Sequence, residues 1–144
     1  MVFSYYIGSC SRHIHSYFHW WRLFHSPDYP SCYPNNQDCT WLFEASYGRY
    51  VHLYFANFHL QYGGSHCPFD YVEMYDGSSF SSPLLARVCG QLDAWTFQLS
   101  SSGRFLLVRF HSDSWIQMPG FEIYHYSTSY SKIISFTIAF YFIK

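Results

Sequence analysis

Cysteine is the residue type in this chain whose chemistry is easiest to infer. Five cysteines occur: Cys10, Cys32, Cys39, Cys67 and Cys89. They lack paired C-x-x-C spacing, so in a short, aromatic-rich chain they favour disulfides over zinc. Cys67 and Cys89 flank a predicted strand and a turn, and neighbouring strands can bring them within bridging distance. Closing a loop of about 20 residues would stabilise the fold by roughly 3 kcal/mol. The alternative is a cytosolic protein in which both thiols are buried and unpaired.

Four histidines near the N-terminus are the second group with possible chemistry. They are His13, His15, His19 and His25. The H-x-H spacing of the first two would place both imidazoles on one face of a strand, an arrangement that suits a metal ion. No carboxylate accompanies them, and Cys10 is the nearest thiol. A metal site here is therefore a secondary hypothesis.

Catalytic motifs with a clear mechanism are missing from the sequence. Serine, histidine and aspartate are all present, but G-x-S-x-G, H-E-x-x-H, a phosphate-binding glycine loop and a dinucleotide fingerprint do not occur. We therefore expect this chain not to be an enzyme. A protease domain elsewhere in a longer gene product is compatible with that expectation.

Composition and net charge indicate one folded domain. The chain has 144 residues, of which 49% are hydrophobic, 24% aromatic and 12% charged. This length predicts a single core, and the aromatic content favours sheet over helix. A formal net charge of −1 is too small for a nucleic-acid-binding protein. The sequence thus predicts an all-β domain without a nucleic-acid partner.

The charge is distributed unevenly along the chain. All nine carboxylates lie between positions 25 and 126, where four arginines oppose them and leave a net charge of −5. Positions 1–24 and 127–144 carry positive charges only. We therefore divide the chain into an N-terminal segment of uncertain structure (1–24), a central domain (25–126) and a short apolar tail (127–144). Non-native sequence attached to both sides of one domain would produce the same pattern.

Neither flank contains a clear targeting signal. The first seven residues are mostly apolar, but they have no leading Lys or Arg and run directly into polar residues, so we do not expect a cleavable secretory signal. Residues 133–143 form an apolar run about half as long as a membrane-spanning helix. A terminal strand or a non-native tail explains this run better than membrane association does.

Seven short runs in the centre alternate apolar and polar residues between turn signals. They cover 40–45, 50–58, 69–75, 84–88, 96–100, 105–111 and 121–126. In the second run, Val51, Leu53 and Phe55 face one side while His52 and Tyr54 face the other. Such a series of short strands is typical of two packed antiparallel sheets or a barrel.

The order of the motifs in this central region resembles that of CUB domains, which are extracellular modules. The matching motifs are SPDYP with a second YP (26–34), CTW (39–41), the strand 51–58 with Leu60, CPFDYVEMYDG (67–77), SPLL with CG (82–90), FHSDS (110–114) and GF (120–121). The phrase SSPLLARVCG further resembles CUB modules of secreted mosaic glycoproteins that also carry scavenger-receptor cysteine-rich and zona-pellucida-type domains. The resemblance implies an all-β, two-sheet antiparallel jelly-roll sandwich of a secreted protein.

The resemblance also implies a first disulfide between Cys10 and Cys39. The usual opening Cys-Gly-Gly is absent, because Ser11 and Arg12 follow Cys10, and the distance to the SPDYP segment is longer than is typical. Cys32 is an additional cysteine inside the YP segment. Two alternatives therefore remain at this stage: Cys32 competes for Cys39, or it stays a free reactive thiol.

Many CUB domains hold a calcium ion, and the resemblance maps its ligands onto this chain. The corresponding positions are Gln61, Asp70 and Asp113, with Tyr33 supporting the site. Calcium takes six to eight hard oxygen ligands, and its affinity rises with the number of carboxylates. Gln61 offers one neutral oxygen where the family has a glutamate, and Trp115 stands where the family often has a serine. We therefore expect calcium binding, if it is retained, to be weakened; the alternative is that Asp70 and Asp113 only satisfy backbone donors in adjacent loops.

The predicted function is recognition of an extracellular protein or glycan. Calcium-binding members use acidic loops to capture a Lys or Arg of the partner, which suits a net charge of −5 because a charge-assisted hydrogen bond is strong. Tyr33, Tyr62 and Trp115 are candidate ligand contacts, since aromatic residues on loops are frequent binding anchors. The alternative is a fragment of a larger secreted mosaic protein, without an independent function.

Overall fold

The computed structural model describes residues 10–130, which form ten β-strands. They are β1 (Arg12–His15), β2 (Arg22–His25), β3 (Asp38–Glu44), β4 (Tyr50–His59), β5 (Tyr71–Tyr75), β6 (Leu84–Val88), β7 (Gln91–Leu92), β8 (Gln98–Ser100), β9 (Phe105–His111) and β10 (Gly120–Thr128). Within this range, no helix is long and apolar enough to cross a membrane. The first seven residues and the run 133–143, for which a signal and a membrane anchor were considered, lie outside the described residues.

The strands form two five-stranded sheets. The first has the order β1-β3-β9-β5-β6, and the second the order β2-β10-β4-β7, with β8 also pairing with β4. Every pairing is antiparallel except that of β1 with β3, which is parallel. The predicted all-β, two-sheet jelly-roll sandwich is therefore confirmed, with one parallel pair that the sequence did not indicate.

Alternating side chains of both sheets build the core between them. Val51, Leu53 and Phe55 of β4 are buried and face the other sheet. The matching positions of β9, whose side chains are also buried, are Leu106, Val108 and Phe110. Trp41 on β3 is only 4% exposed and belongs to the same cluster. Each such side chain contributes about 1.5–3 kcal/mol when it leaves water, so the predicted alternation explains why these segments pair as they do.

The N-terminal segment, to which no structure was assigned, contains two strands of the sandwich. Arg12–His15 pairs in parallel with Trp41–Glu44, and Arg22–His25 pairs antiparallel with Glu122–His125. Phe24 is buried and Ile14 packs against the core. Each strand has only four residues at a sheet edge, so each contributes one clearly apolar inward position. Alternation cannot be detected over such a short length, which is why this expectation was wrong.

Two predicted strands are shorter in the structure. The run 69–75 becomes a strand only at Tyr71, because the Asp70 side chain bonds to a neighbouring loop instead of facing a sheet surface. The run 96–100 begins at Gln98, because Thr96 closes a turn by donating its backbone N–H and its hydroxyl to the Asp93 carbonyl. The two-residue strand β7 was not predicted at all.

Two disulfides join neighbouring parts of the sandwich. Cys67 pairs with Cys89, with a Cα–Cα distance of 5.6 Å, and Cys10 pairs with Cys39 at 5.1 Å. The second bond ties the start of the N-terminal segment to β3. Cys32 is free and exposed, so the competing pairing of Cys32 with Cys39 does not occur in the structure.

Candidate functional site

Tyr33 is the buried centre of the candidate site. Its ring is fully buried and packs edge-to-face on Phe110, with ring centroids 5.1 Å apart. Its backbone N–H donates to the Met118 carbonyl at 3.1 Å. The phenol oxygen donates to Asp70 Oδ2 at 2.5 Å and accepts from the Gln61 backbone N–H at 3.3 Å. Burial raises the pKa of Tyr33, so the hydroxyl stays protonated and keeps Asp70 oriented.

Asp70 connects this tyrosine to a second loop. It directly precedes β5 and is completely buried. Its Oδ1 accepts the backbone N–H of Asp113 at 2.8 Å, while its Oδ2 accepts the Tyr33 hydroxyl. Burial raises the pKa of Asp70, and the nearby negative charge of Asp113 raises it further, against the lowering effect of its two donors. A positive charge beside this buried carboxylate would relieve that electrostatic cost.

Asp113 supplies the second carboxylate, from the loop that follows β9. Its Oδ1 accepts the backbone N–H of Trp115 at 3.0 Å, and its backbone carbonyl accepts the N–H of Asn36 at 2.8 Å. The side chain is half-buried, so this carboxylate is reachable from solvent. Through these bonds, Asp113 links the YP segment, the loop before β5 and the loop after β9.

Gln61 completes the group, just beyond the end of β4. Its side chain is 8% exposed, and its Oε1 is buried without a hydrogen-bond partner among the described residues. An unpaired buried carbonyl oxygen costs about 1–3 kcal/mol, so a bound cation or an ordered water is expected to satisfy it. The structure thus joins Tyr33, Asp70 and Asp113 by hydrogen bonds, and the Gln61 backbone N–H contacts the Tyr33 hydroxyl.

The chemistry of these donors fits a hard cation. Two carboxylates and one amide oxygen, with further backbone carbonyls and water, are the ligand types that calcium takes. In the range 10–130, however, no group of three or more His, Cys, Asp or Glu side chains is arranged to hold a metal ion. The two carboxylates are enough for a weak site only.

Exposed aromatic and aliphatic side chains lie next to these residues along the chain. Trp115 is 79% exposed and Tyr62 is 54% exposed, so both are accessible to a partner. Phe69 and Ile116, which are 41% and 49% exposed, were not predicted as ligand contacts. Each neighbours a predicted site residue, because Phe69 precedes Asp70 and Ile116 follows Trp115. We refer to Tyr62, Phe69, Trp115 and Ile116 as the apolar rim.

Tyr33 does not belong to the apolar rim, although the sequence analysis counted it among the candidate ligand contacts. Its side chain has no exposed surface. Contacts with Phe110 and the Met118 carbonyl hold it against the core, and its hydroxyl bonds to Asp70 within the site. Its supporting role beside Asp70 matches the geometry, whereas direct contact with a partner does not.

The N-terminal histidines do not converge on one point in the described structure. His13 Nε2 lies 2.7 Å from Glu44 Oε2, and His25 Nδ1 lies 2.8 Å from the carbonyl of Ser26. They lie on edge strands of different sheets. Their arrangement gives no support to the metal hypothesis.

Comparison with known proteins agrees with this architecture. The family model for the CUB domain matches residues 10–125. Human Tolloid-like protein 1 is 34% identical over 118 residues, which cover 82% of this chain and 11% of that protein. Cubilin of Rattus norvegicus is 38% identical over 100 residues, covering 69% of this chain and 3% of cubilin. The chain thus spans only a small part of the curated relatives it matches.

Solved structures share the same fold. The full extracellular region of zebrafish Gpr126/Adgrg6 matches with a TM-score of 0.72 and 32% identity, over 85% of this chain and 15% of that one. The Ca2+-bound CUB2 domain of MASP-1 matches with a TM-score of 0.64, over 76% of this chain and 95% of that domain. The identity to the MASP-1 domain is 23%, so this second likeness supports the fold alone.

Proposed function

The chain belongs to the CUB domain family, and we propose that it is an extracellular recognition module that binds a protein partner through the loops around Asp70 and Asp113. The observation that carries this proposal is the hydrogen-bonded group of Tyr33, Asp70 and Asp113, which the Gln61 backbone N–H joins through the Tyr33 hydroxyl. The Tyr33 ring belongs to the core, whereas the carboxylates of Asp70 and Asp113 accept backbone N–H groups of the loop after β9. The place of this group among three loops suits binding better than folding.

We propose that Asp70, Asp113 and Gln61 hold calcium at millimolar extracellular concentrations. The ion supplies positive charge and fixed oxygen coordination at one point shared by the three loops. Asp70 is already oriented by Tyr33, and Asp113 is already bonded to the backbone of its own loop. Little conformational freedom is therefore left to lose on binding. With two carboxylates, the dissociation constant is expected near the weak end for extracellular modules, on the order of 10⁻³ M.

The partner is proposed to present a Lys or Arg next to an apolar side chain. The half-buried Asp113 accepts a charge-assisted hydrogen bond from such a cation, and these bonds are among the strongest available to proteins. Trp115 and Tyr62, which lie beside it, provide rings for cation–π and apolar contact. Phe69 and Ile116 extend the apolar area. The same surface suits a protein better than a neutral glycan, because its central group is acidic.

Calcium binding is tested by calorimetric titration of the full-length chain with its disulfides intact. Asp113→Asn keeps the acceptor oxygen for the Trp115 N–H but removes one charge, so we expect at least a tenfold weaker affinity. Gln61→Glu restores a third carboxylate, and we expect about tenfold tighter binding. Gln98→Glu is the matched control. It makes the same change from glutamine to glutamate on β8, where Gln98 pairs with Tyr54 of β4.

The proposal fails if calcium gives neither heat nor stabilisation up to about 10 mM in the native chain. It also fails if Gln98→Glu increases the affinity as much as Gln61→Glu does, because the ion would then respond only to overall charge. A native chain that does not bind while Gln61→Glu does would show that the loops are built for calcium and that Gln61 has removed it.

We propose further that the chain acts as one module of a longer protein. The relatives named above are far longer than the stretch that this chain matches. Any protease activity or final partner of such a protein would then belong to its other domains. The contribution of this module would be recognition alone, as expected from a sequence without catalytic motifs.

A further inference from the structure

One edge of the sandwich is open. On this side, β1 is the last strand of the first sheet and β2 is the last strand of the second sheet. Each strand has four residues and, within residues 10–130, pairs with a neighbour on one side only. Between them a crevice runs into the space between the sheets, and its lining includes Arg12, Ile14 and Leu23.

The outer part of this crevice carries two arginines from opposite sheets. Arg12 lies on β1 and Arg22 lies on β2, and both line a space with a volume of about 500 Å³. Residues two positions apart on a strand lie on the same face. Arg12 therefore lies on the inward face of β1 with Ile14, and Arg22 lies on the inward face of β2 with Phe24. Both guanidinium groups are therefore carried toward the gap between the sheets.

Neither of these arginines has a carboxylate partner among residues 10–130. The other guanidinium groups with ion pairs are those of Arg87, Arg104 and Arg109, which contact Glu73, Glu44 and Asp38. Arg22 lies over the ring of Tyr17, 5.0 Å from its centroid, which steadies the side chain without neutralising it. In a chain with an excess of carboxylates, two unpaired arginines facing one crevice form a distinct positive site.

The inner part of the crevice is mostly apolar, with Arg12, His25 and Ser26 also in its lining. It has a volume of about 260 Å³ and is bordered by Ile14, Phe24 and Trp41. Cys10, which is bonded to Cys39, also lines it. Phe24 and Trp41 are 6% and 4% exposed, so this compartment reaches the edge of the core. A ligand that enters past the arginines would thus meet an apolar surface.

A buried histidine borders the outer part. His125 is 2% exposed, and its Nδ1 lies 2.9 Å from Ser16 Oγ. Burial, and then the charge of Arg22, lower the pKa of His125 to about 4, so the ring is neutral at neutral pH. His125 therefore adds no positive charge to the outer part, where His13 and His15 also line the space and His13 contacts Glu44.

We propose that this crevice binds a small amphipathic oxyanion, with its carboxylate or sulfate head between Arg12 and Arg22 and its apolar body against Ile14, Phe24 and Trp41. Guanidinium groups match such heads because their parallel N–H donors fit two oxygens at once. The depth of the apolar compartment selects a single chain or ring rather than a polymer. The site lies on an open edge of the sandwich, and its occupation does not depend on calcium at Asp70 and Asp113.

The test uses the full-length chain and four probes, namely octanoate, octyl sulfate, octanol and acetate. Titrations are followed by calorimetry and by ¹H–¹⁵N NMR, with the Trp41 indole N–H as a local reporter. We expect saturable binding of octanoate or octyl sulfate, and the tighter of the two identifies the preferred head group. Octanol, which lacks the charge, and acetate, which lacks the apolar body, are expected to bind at least tenfold more weakly.

Substitutions then separate this site from general attraction. Arg12→Gln and Arg22→Gln remove charges that have no ion-pair partner in residues 10–130, so the fold is expected to survive, and each should weaken binding at least tenfold. Arg109→Gln is the control, because it makes the same change of net charge on β9, where Arg109 pairs with Asp38. It should leave binding within twofold.

Three results would overturn the proposal. They are the absence of saturable binding by both anionic amphiphiles, equal affinity for octanoate and octanol, and an equal loss of binding in Arg109→Gln and Arg22→Gln.

Discussion

At the scale of single residues, burial changes the chemistry of several polar side chains. His125 lies between the sheets, next to Phe43 and Phe24, with ring centroids 4.8 and 6.2 Å away. Burial is the main reason that its pKa falls to about 4. Asp70, also buried, shows the corresponding effect on a carboxylate, because burial raises its pKa. In both cases the folded state favours the neutral form, and the charged form is held at a free-energy cost.

The consequence for His125 is a loss of stability in mild acid. The unfolded chain takes up a proton near the ordinary histidine pKa of 6.5, whereas the folded chain does so only near 4. The contribution of neutral His125 to the free energy of unfolding is fully present above pH 6.5. It is lost as the pH falls from 6.5 to about 4. The loss of stability amounts to about 3 kcal/mol once the pH has fallen to about 4. Chemical denaturation at pH 7, 5.5 and 4.5 should show this decline.

The variant His125→Asn removes the titrating group while keeping a polar atom near Ser16. We expect the variant to be less stable than the native chain at pH 7. Its free energy of unfolding should then fall much less between pH 6.5 and 4. His66→Asn is the control, because His66 is exposed and its removal should leave the slope unchanged. An unchanged slope in His125→Asn would show that another group is responsible.

At the scale of secondary-structure elements, strand length determined which predictions were correct. The strands β4 and β9 were predicted well, because ten and seven residues display alternation clearly. The strands β1, β2 and β7 have two to four residues and were not predicted. Each depends on pairing with a longer partner that is distant in sequence, and local patterns contain no information about such a partner. The parallel pairing of β1 with β3 could not be predicted for the same reason.

The Cys10–Cys39 disulfide is expected to hold the N-terminal strands on the sandwich. Its cysteines are 29 positions apart, and closing a loop of that length is worth roughly 3–4 kcal/mol. Removal of this bond should therefore lower the free energy of unfolding by about that amount, measured by denaturant unfolding. Cys10→Ser in a Cys32→Ser background is the informative variant, because the free Cys39 then has no new partner at position 32.

Cys32→Ser alone is the matched control. Cys32 is free and exposed, so its replacement should change the free energy of unfolding by less than about 0.5 kcal/mol. If Cys10→Ser with Cys32→Ser is as stable as Cys32→Ser, the N-terminal strands contribute little to the sandwich. A large loss in the control would instead indicate a structural role for Cys32.

At the scale of the whole molecule, the near-zero net charge conceals separated regions of opposite sign. The described residues contain six arginines and nine carboxylates, a net charge of 6 − 9 = −3. Arg12 and Arg22 lie at the open edge, whereas Asp70 and Asp113 lie among the loops. The predicted division at position 25 placed these two arginines outside the domain, because composition changes there. The strands that carry them are nevertheless part of the sandwich.

The candidate site illustrates what sequence can and cannot provide. The resemblance to CUB motifs singled out Asp70, Asp113 and Gln61 as candidates. The motifs did not show that Tyr33 is buried, since burial depends on Phe110 and Met118, which lie far along the chain. They also did not select Phe69 or Ile116. Exposure of a side chain beside a strand end is set by the three-dimensional course of the loops.

The central claim is that the loops around Asp70 and Asp113 form a calcium-responsive recognition surface, and residue-resolved NMR tests it most directly. Calcium is added to the full-length chain while backbone amide shifts and hydrogen exchange are recorded. We predict saturable shifts at Gln61, Asp70 and Asp113, with slower exchange in their loops and little change at the open edge near Arg22. Shifts spread over the whole surface, or none at these three residues up to about 10 mM calcium, would contradict the account.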